Sequence, residues 1–354
     1  MKPFGYPTSR LALLWREILV IALATAGGAV FASFGMPAAW LSGSMVVSAV
    51  VGCLRPLPTL RRPWFDSTML LSGTILGSAA TPEALQAAAH YPLSLVIMIV
   101  GIAAIMFATG AYLHYVARWP WIDALLAAAP GALGTVLAVA QDKGANIGRI
   151  SVVQLFRLLV LVAFLPSAMQ LTGVSAGASS GPAVLSVSAG TMFGVTMAGL
   201  ALGLAFERFG MAAPLMFGAT FASSILHGTG MVEGSLPMPI QVAVQVLLGS
   251  TIGGRIAHIP RSELKSLFPL AIGGFAVSLG VAFLFAWPAA WLAGVSFASG
   301  MVAFAPGGLE AMAMLAFAMG LDTLYVGAHH LVRFVIVGLA MPIVLSRVKD
   351  APPR

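Results

Sequence analysis

The chain has 354 residues, of which 59% are hydrophobic and only 8% charged, and its mean hydropathy is +0.98. Soluble domains carry about 25% charged residues, so the composition excludes a water-soluble globular protein and leaves an all-α polytopic membrane protein with the lipid bilayer as its first partner. The formal charge of +7 comes from 18 Lys and Arg against 11 Asp and Glu; the basic residues fall in short loops between apolar runs, where they set orientation and make no nucleic-acid surface.

Apolar stretches of roughly spanning length lie near 17–34, 37–54, 65–80, 91–116, 121–142 and 150–171. A second set lies near 187–206, 211–228, 238–256, 267–286, 291–318 and 324–346. The first run, Ile18 to Phe34, is longer than a cleaved signal core and reads as an uncleaved span. Thr172 to Pro182 is small, polar and uncharged, the composition of a linker. The expected organisation is a first membrane repeat over 12–171, a linker over 172–186 and a second repeat over 187–346.

The halves share landmarks in register. Ala129-Pro130-Gly131-Ala132-Leu133-Gly134, followed by Gly144, Gln154, Arg157 and Pro166, recurs 176 residues later as Ala305-Pro306-Gly307-Gly308-Leu309-Glu310, followed by Gly320, His330, Arg333 and Pro342. Phe34-Gly35-Met36 with Gly43 matches Phe209-Gly210-Met211 with Gly218. Leu70-Leu71, Thr74-Ile75 and Gly77 match Leu247-Leu248, Thr251-Ile252 and Gly254, and Pro92 answers Pro269.

Positive loops are out of phase by one segment between the halves. Arg55, Arg61 and Arg62 follow segment two of the first half, whereas Arg255, Arg261 and Lys265 follow segment three of the second. That phase shift is the pattern of two inverted repeats, which need an odd number of crossings each. If the fifth segment of each half dips in and returns, every basic loop lies in the cytoplasm, together with both termini, and Glu83, Glu233 and Asp322 lie outside. Pro130-Gly131 and Pro306-Gly307 break those two segments, since proline removes a helix hydrogen bond and glycine loosens the turn. Roughly eight helical residues reach about 12 Å at 1.5 Å per residue, near the midplane. The expectation is about ten transmembrane helices plus two re-entrant or broken helices; an unwound helix that crosses is the alternative.

Irregular backbone at membrane depth survives only against protein or a water-filled cavity, so the two breaks (Pro130, Gly131, Gly134; Pro306, Gly307, Gly308) are candidate substrate- or ion-binding elements. Kinks that only shape packing are the plainer reading. Arg157 and Arg333 lie deep in their segments, sharing a helix face with Gln154 and His330 respectively. They could form a net-positive pocket for an anionic group, or hydrogen-bond the carbonyls freed at the breaks. Glu310, with Gly134 in its place in the first half, is a candidate proton or cation carrier, or a salt-bridge partner of Arg333 or Arg157. His329 and His330 could titrate near neutral pH. Asn146 and Asp322, matched by position, should cap the helices that follow. Gln241 and Gln245 are weaker cavity candidates, and His90, His114, His227 and His258 should be interfacial. Cys53, alone in the chain, permits no internal disulfide or thiolate cluster.

The signatures from Pro130 to Gly144 and from Pro306 to Phe334 resemble those of the bacterial AbrB-duplication membrane family, over roughly residues 15 to 346. The resemblance implies a duplicated multi-pass inner-membrane protein. Members are labelled AbrB-type regulators or ammonia monooxygenases, labels that bring no site residues with them; the small soluble DNA-binding AbrB proteins are a different group. The residues themselves favour a non-enzymatic, cofactor-free, gradient-driven secondary transporter or exporter of a small molecule or ion, because no ATP-binding loop is present. A regulator acting indirectly on gene expression is the alternative: direct DNA reading needs about 600–1,000 Å² of ordered surface, which the short hydrophilic stretches do not provide. A copper oxygenase is the weakest reading, since copper asks for several imidazoles and adjacent His329 and His330 point about 100° apart on a helix. Nothing in the sequence sets the substrate, or decides between a monomer and a homo-oligomer.

Overall fold

The computed structural model describes residues 10–55, 60–130, 133–171, 186–211, 213–256, 259 and 261–347. The first half holds α1 (Arg10–Ser33), α2 (Ala39–Leu54), α3 (Arg62–Gly77) and the short α4 (Pro82–Ala87). A 3-10 turn at Ala88–His90 leads into α5 (Pro92–Tyr115), then α6 (Trp121–Ala128), α7 (Leu133–Asp142) and α8 (Ile147–Leu171). The second half holds α9 (Ala189–Arg208), α10 (Pro214–Gly228), α11 (Met238–Ile256), α12 (Arg261–Ala293), α13 (Phe297–Phe304), α14 (Leu309–Ala318) and α15 (Thr323–Arg347). No strand occurs among the described residues; the one β feature is a parallel bridge between Ser186 and Ser235. The rest of the expected linker, 172–185, lies outside the described residues.

Helix starts follow local chemistry. Thr81, Ser188 and Ser296 accept from the backbone N–H three residues on, at 3.2, 3.1 and 3.1 Å. Asn146 and Asp322 do the same for Arg149 N and Tyr325 N, at 3.1 and 2.9 Å, as their matched positions predict. Among the described residues, six helices (within α1, α5, α8, α9, α12 and α15) are long and apolar enough to cross a membrane, while α2 and α14 are shorter apolar helices.

The duplication extends into the backbone. α13, α14 and α15 repeat the bounds of α6, α7 and α8 at an offset of 176 residues. Left-handed residues recur in pairs: Gly35 and Gly210, Ala38 and Ala213, Arg118 and Gly294, Gly144 and Gly320. Because Ala38, Arg118 and Ala213 take positive φ at some cost, those turns are set by the surrounding fold. One asymmetry concerns Pro92 and Pro269. Pro92 starts α5 after the 3-10 turn, whereas Pro269 lies inside the continuous 33-residue α12.

The halves interlock. α1 and α2 pack with α11 from the second half, while α9 and α10 pack with α3 from the first. Small residues permit the close approach. A Cβ on Gly73 would strike the Met216 carbonyl, and one on Gly253 the Met45 carbonyl. Gly77 would meet Thr220 O at 2.5 Å. These contacts correct the register read from sequence. Gly77 plays the part of Gly253, because both face the backbone of the neighbouring bundle, whereas a Cβ at Gly254 would meet nothing within 4 Å.

Charge sorts between two ends of the molecule. At one end Arg61 holds the buried Glu17 of α1 at 2.7 Å, Arg62 reaches Glu207 at 3.2 Å and Arg261 donates to Leu54 O at 2.7 Å. Gly148, at the start of α8, lies against Glu263 at the start of α12. At the opposite end Ser78 bonds Ser235 at 3.0 Å, and Tyr91 bonds Asp322 at 2.9 Å.

Candidate functional site

α6 ends at Ala128 and α7 begins at Leu133; α13 ends at Phe304 and α14 begins at Leu309. Both breaks fall at the Pro-Gly positions. Pro130, Pro306 and Gly307 are buried, Gly308 half-buried, Gly134 lies in the first turn of α7, and Gly131 is outside the described residues. Neither Gly307 nor Gly308 has a positive φ. A Cβ at Gly307 would lie 2.6 Å from the Met312 side chain, which would have to shift to admit it.

A helix that stops leaves its last carbonyls without N–H partners, and here the next long helix supplies them. In the first half Gln154 Nε2 donates to Leu126 O at 2.9 Å, and Arg157 donates to Ala128 O and Ala129 O at 3.2 and 3.1 Å. In the second, His330 Nε2 donates to Val302 O at 3.0 Å, and Arg333 donates to Ala305 O and Gly307 O at 2.7 and 2.6 Å. Gln154 and His330 thus hold equivalent carbonyls 176 residues apart, and the two arginines share the equivalent pair Ala129 and Ala305. A cation at a helix C-terminus also meets the negative end of the helix dipole. Arg333 makes one further bond, to His330 Nδ1, which accepts. Arg157 Nε is buried and has no partner among the described residues.

Of the two roles open to these arginines, the backbone one is filled: each donates to two hairpin carbonyls. Neither forms an ion pair with Glu310. Glu310 is half-buried in the first turn of α14, its carboxylate about a carbon's contact from Gly308 (3.5 Å from the Cβ position). No hydrogen bond or ion pair engages that carboxylate among the described residues.

Each break is the tip of a hairpin. Asp123 at the start of α6 accepts from Asn146 N at 3.0 Å and pairs with Arg149 at 3.6 Å, while the end of α6 lies at Arg157. α6 therefore runs alongside α8 from its start to mid-length, and α7 leads back to that start. The same holds for α13, α14 and α15: Asp322 N donates to Ser299 Oγ at 3.1 Å, and the tip lies at Arg333. The first hairpin starts from the basic end, with Arg149. The second starts from the opposite end, with Asp322. Gly308 of the second tip lies against Leu158, the neighbour of Arg157, with 3.8 Å from its Cβ position to the leucine methyls.

A second polar cluster joins α5 to α15. His329 Nδ1 donates to Tyr325 O at 2.8 Å, so its Nε2 accepts from Ser94 Oγ at 2.6 Å; that hydroxyl is also 3.2 Å from the Tyr325 hydroxyl. The Tyr91 ring meets the Tyr325 ring edge-on at 5.0 Å, and its hydroxyl donates to Asp322. Burial and the neighbouring Asp322 carboxylate push the Tyr91 phenol up from its ordinary value of 10.0, which keeps it a donor. Asp322 and His90 line an open pocket of about 670 Å³ with Trp291, Ser296 and Ser299. The i, i+4 spacing of Tyr325 and His329 was the only sequence signal for this cluster; Ser94 and Tyr91 gave none.

Other candidates resolve as structural. Gln241 caps Leu236 O at 2.6 Å, and Gln241 and Gln245 are both buried. His227, expected at an interface, is instead buried between Ser223 and Gly234 O at 3.0 Å, because the loop after α10 folds back over it. His114 bonds Trp119 O at 2.7 Å and stacks on Trp121; His258 lies outside the described residues. Among the described residues no three His, Cys, Asp or Glu side chains are grouped to hold a metal ion.

Known proteins are similar to this chain over nearly its whole length. A protein of Bacillus subtilis (strain 168), named "Uncharacterized protein YhjN", is 25% identical over 93% of this chain and 92% of its own length. An Escherichia coli (strain K12) protein, named "Putative regulator AbrB", is 23% identical over 97% of this chain and 98% of its own. Residues 40–349, covering both hairpins and both arginines, match the family described as "Transition state regulatory protein AbrB", and the chain belongs to that AbrB family.

Proposed function

We propose that the protein is a gradient-driven secondary transporter or exporter of a small molecule or ion, built from two inverted repeats in the bacterial inner membrane. The observation that carries this reading is the pair of matched hairpins that start from opposite ends of the molecule and bring their breaks together beside Arg157 and Arg333.

Helix directions support the inversion. α5 and α12 hold corresponding places in the two halves, and they pack antiparallel: Gly101 faces Phe285 while Gly273 faces Tyr112. Two helices related by an axis along the membrane normal would run parallel; an in-plane axis makes them antiparallel. The charge sorting agrees, with Arg61 and Arg261 at one end despite lying in loops that do not correspond. On this reading the basic end faces the cytoplasm, the hairpins are re-entrant and about ten helices cross. The arginines hold the hairpin tips in shape, and Glu310, a carboxylate beside the breaks with no partner among the described residues, is the group offered to a proton or cationic substrate.

A thermal-shift screen of metabolites on detergent-solubilised protein tests the reading. A ligand that stabilises the wild type should do so less in a Glu310→Gln variant and be carried by wild-type proteoliposomes. A ligand that binds equally to both proteins and is not carried would contradict it.

The name of the Escherichia coli relative favours a second reading, a membrane-embedded regulator. It would act indirectly, through a carried metabolite or a partner protein, and operator binding by the pure protein in a shift assay would decide for a direct role.

A further inference from the structure

The two hairpin latches are alike in geometry and differ in one chemical respect. Gln154 holds the first break and cannot titrate. His330, its counterpart, holds the second and can. We propose that the second half carries the coupling-ion site of the transporter, that the ion is the proton, and that His330 binds it when the second hairpin opens. This rests on the transport reading for the word coupling; the proton site itself stands on the latch geometry.

In the closed structure both ring nitrogens are committed: Nε2–H donates to Val302 O, and Nδ1 accepts from Arg333. A proton on Nδ1 would remove that acceptor and set imidazolium against guanidinium. The closed latch therefore requires the neutral ring. Once the hairpin parts from α15 and water enters, the imidazole behaves as an ordinary histidine titrating near pH 6.5. Protons then bind the open form and not the closed one, so acidification favours opening, by up to about tenfold per pH unit below 6.5. The step is a proton transfer to Nδ1 from hydronium in the entering water, which is left as water, with Arg333 keeping its bonds to Ala305 O and Gly307 O until the tip leaves; no electrons move.

The surroundings of His330 fit a proton site. Its own helix supplies Arg333 and His329, and Arg157 on α8 lies within electrostatic reach of Arg333. α13 has no ionisable residue, and α14 has only Glu310. α5 contributes Tyr91 at its start, with Tyr112, His114 and Tyr115 toward its far end; α3 has Arg62 and Asp66 near its start, and α7 has Asp142 at its end. A line of polar groups, Asp322, Tyr91, Tyr325, Ser94 and His329, leads inward from the open pocket to the residue adjoining His330. The first half has no such line, with Val153 in the place of His329 and Arg149 in that of Tyr325.

The test compares the two tips. Ala129→Cys and Ala305→Cys, equivalent and both fully buried, are made separately in a Cys53→Ser background and labelled in detergent with a thiol reagent from pH 8 to 5. The ratio of the two rates cancels the pH dependence of the thiol. It should rise as pH falls below about 6.5 in favour of Ala305→Cys, and become flat when His330→Gln is added, a change that copies Gln154 and preserves a donor to Val302 O. If Ala305→Cys does not fold, Gly308→Cys takes its place, since a side chain there meets nothing nearer than 3.5 Å. A ratio constant from pH 8 to 5, or one that still rises with His330→Gln, would overturn the proton site even if transport is found. A rising ratio abolished by His330→Gln, with no substrate carried in the screen, would uphold the site and refute the transport reading.

Discussion

Replacing Arg333 by methionine, similar in length but without donors, probes the latch directly. Two buried acceptors, Gly307 O and His330 Nδ1, lose their partner, while Ala305 O keeps only the Gly307 N–H at 2.7 Å. An unsatisfied buried polar group costs about 1–3 kcal/mol, so Arg333→Met, which strands two and weakens a third, should destabilise by about 2–6 kcal/mol. Arg157→Met also strips two acceptors, Ala128 O and Ala129 O, but eliminates the buried Arg157 Nε, which has no partner among the described residues. Its cost should be smaller, about 1–3 kcal/mol. Equilibrium unfolding in mixed dodecyl maltoside and dodecyl sulfate micelles, followed by circular dichroism, measures both. The order of the two variants is the sharp part: Arg157→Met costing as much as Arg333→Met, or Arg333→Met within about 0.5 kcal/mol of wild type, would refute the assignment of the arginines to the hairpin carbonyls.

Gly73→Ala and Gly253→Ala each push a methyl into a neighbouring helix backbone and should cost about 1–3 kcal/mol, read as lost thermal stability; Gly280→Ala, with nothing within 4 Å, should cost nothing. Glu310→Gln should leave unfolding unchanged, because no partner among the described residues holds the carboxylate, while lowering the flux of any carried substrate; a large loss of stability would contradict that. Tyr91→Phe removes a hydrogen bond to the Asp322 carboxylate and should cost about 1.5–3 kcal/mol, measured by the same unfolding titration.

The parts of this fold that were legible in the sequence are those encoded by local chemistry repeated in register. Pro130-Gly131 and Pro306-Gly307 announce the breaks because proline cannot continue a helix hydrogen-bond ladder. Asn146 and Asp322 announce the caps, and the depth of Arg157 and Arg333 announces that something must satisfy them. What satisfies them was left open, since a guanidinium can face a ligand or a carbonyl and only the path of α6 and α13 decides. The exchange of α3 and α11 between bundles was not legible either. It depends on glycine-to-backbone contacts across long separations, and the repeated leucines and threonines suggest a register one residue away from the packed one. The Ser94–His329 contact joins residues 235 positions apart on two helices that give no sign of being neighbours.

The central claim is that the second half is inserted upside down relative to the first. Single cysteines at Leu60, Ser262, Glu83 and Glu233, in a Cys53→Ser background, can be labelled from either face of intact cells with an impermeant thiol reagent. The account predicts that Leu60→Cys and Ser262→Cys react from the cytoplasmic face, and Glu83→Cys and Glu233→Cys from the outer face. Leu60→Cys and Ser262→Cys reacting from opposite faces would contradict it.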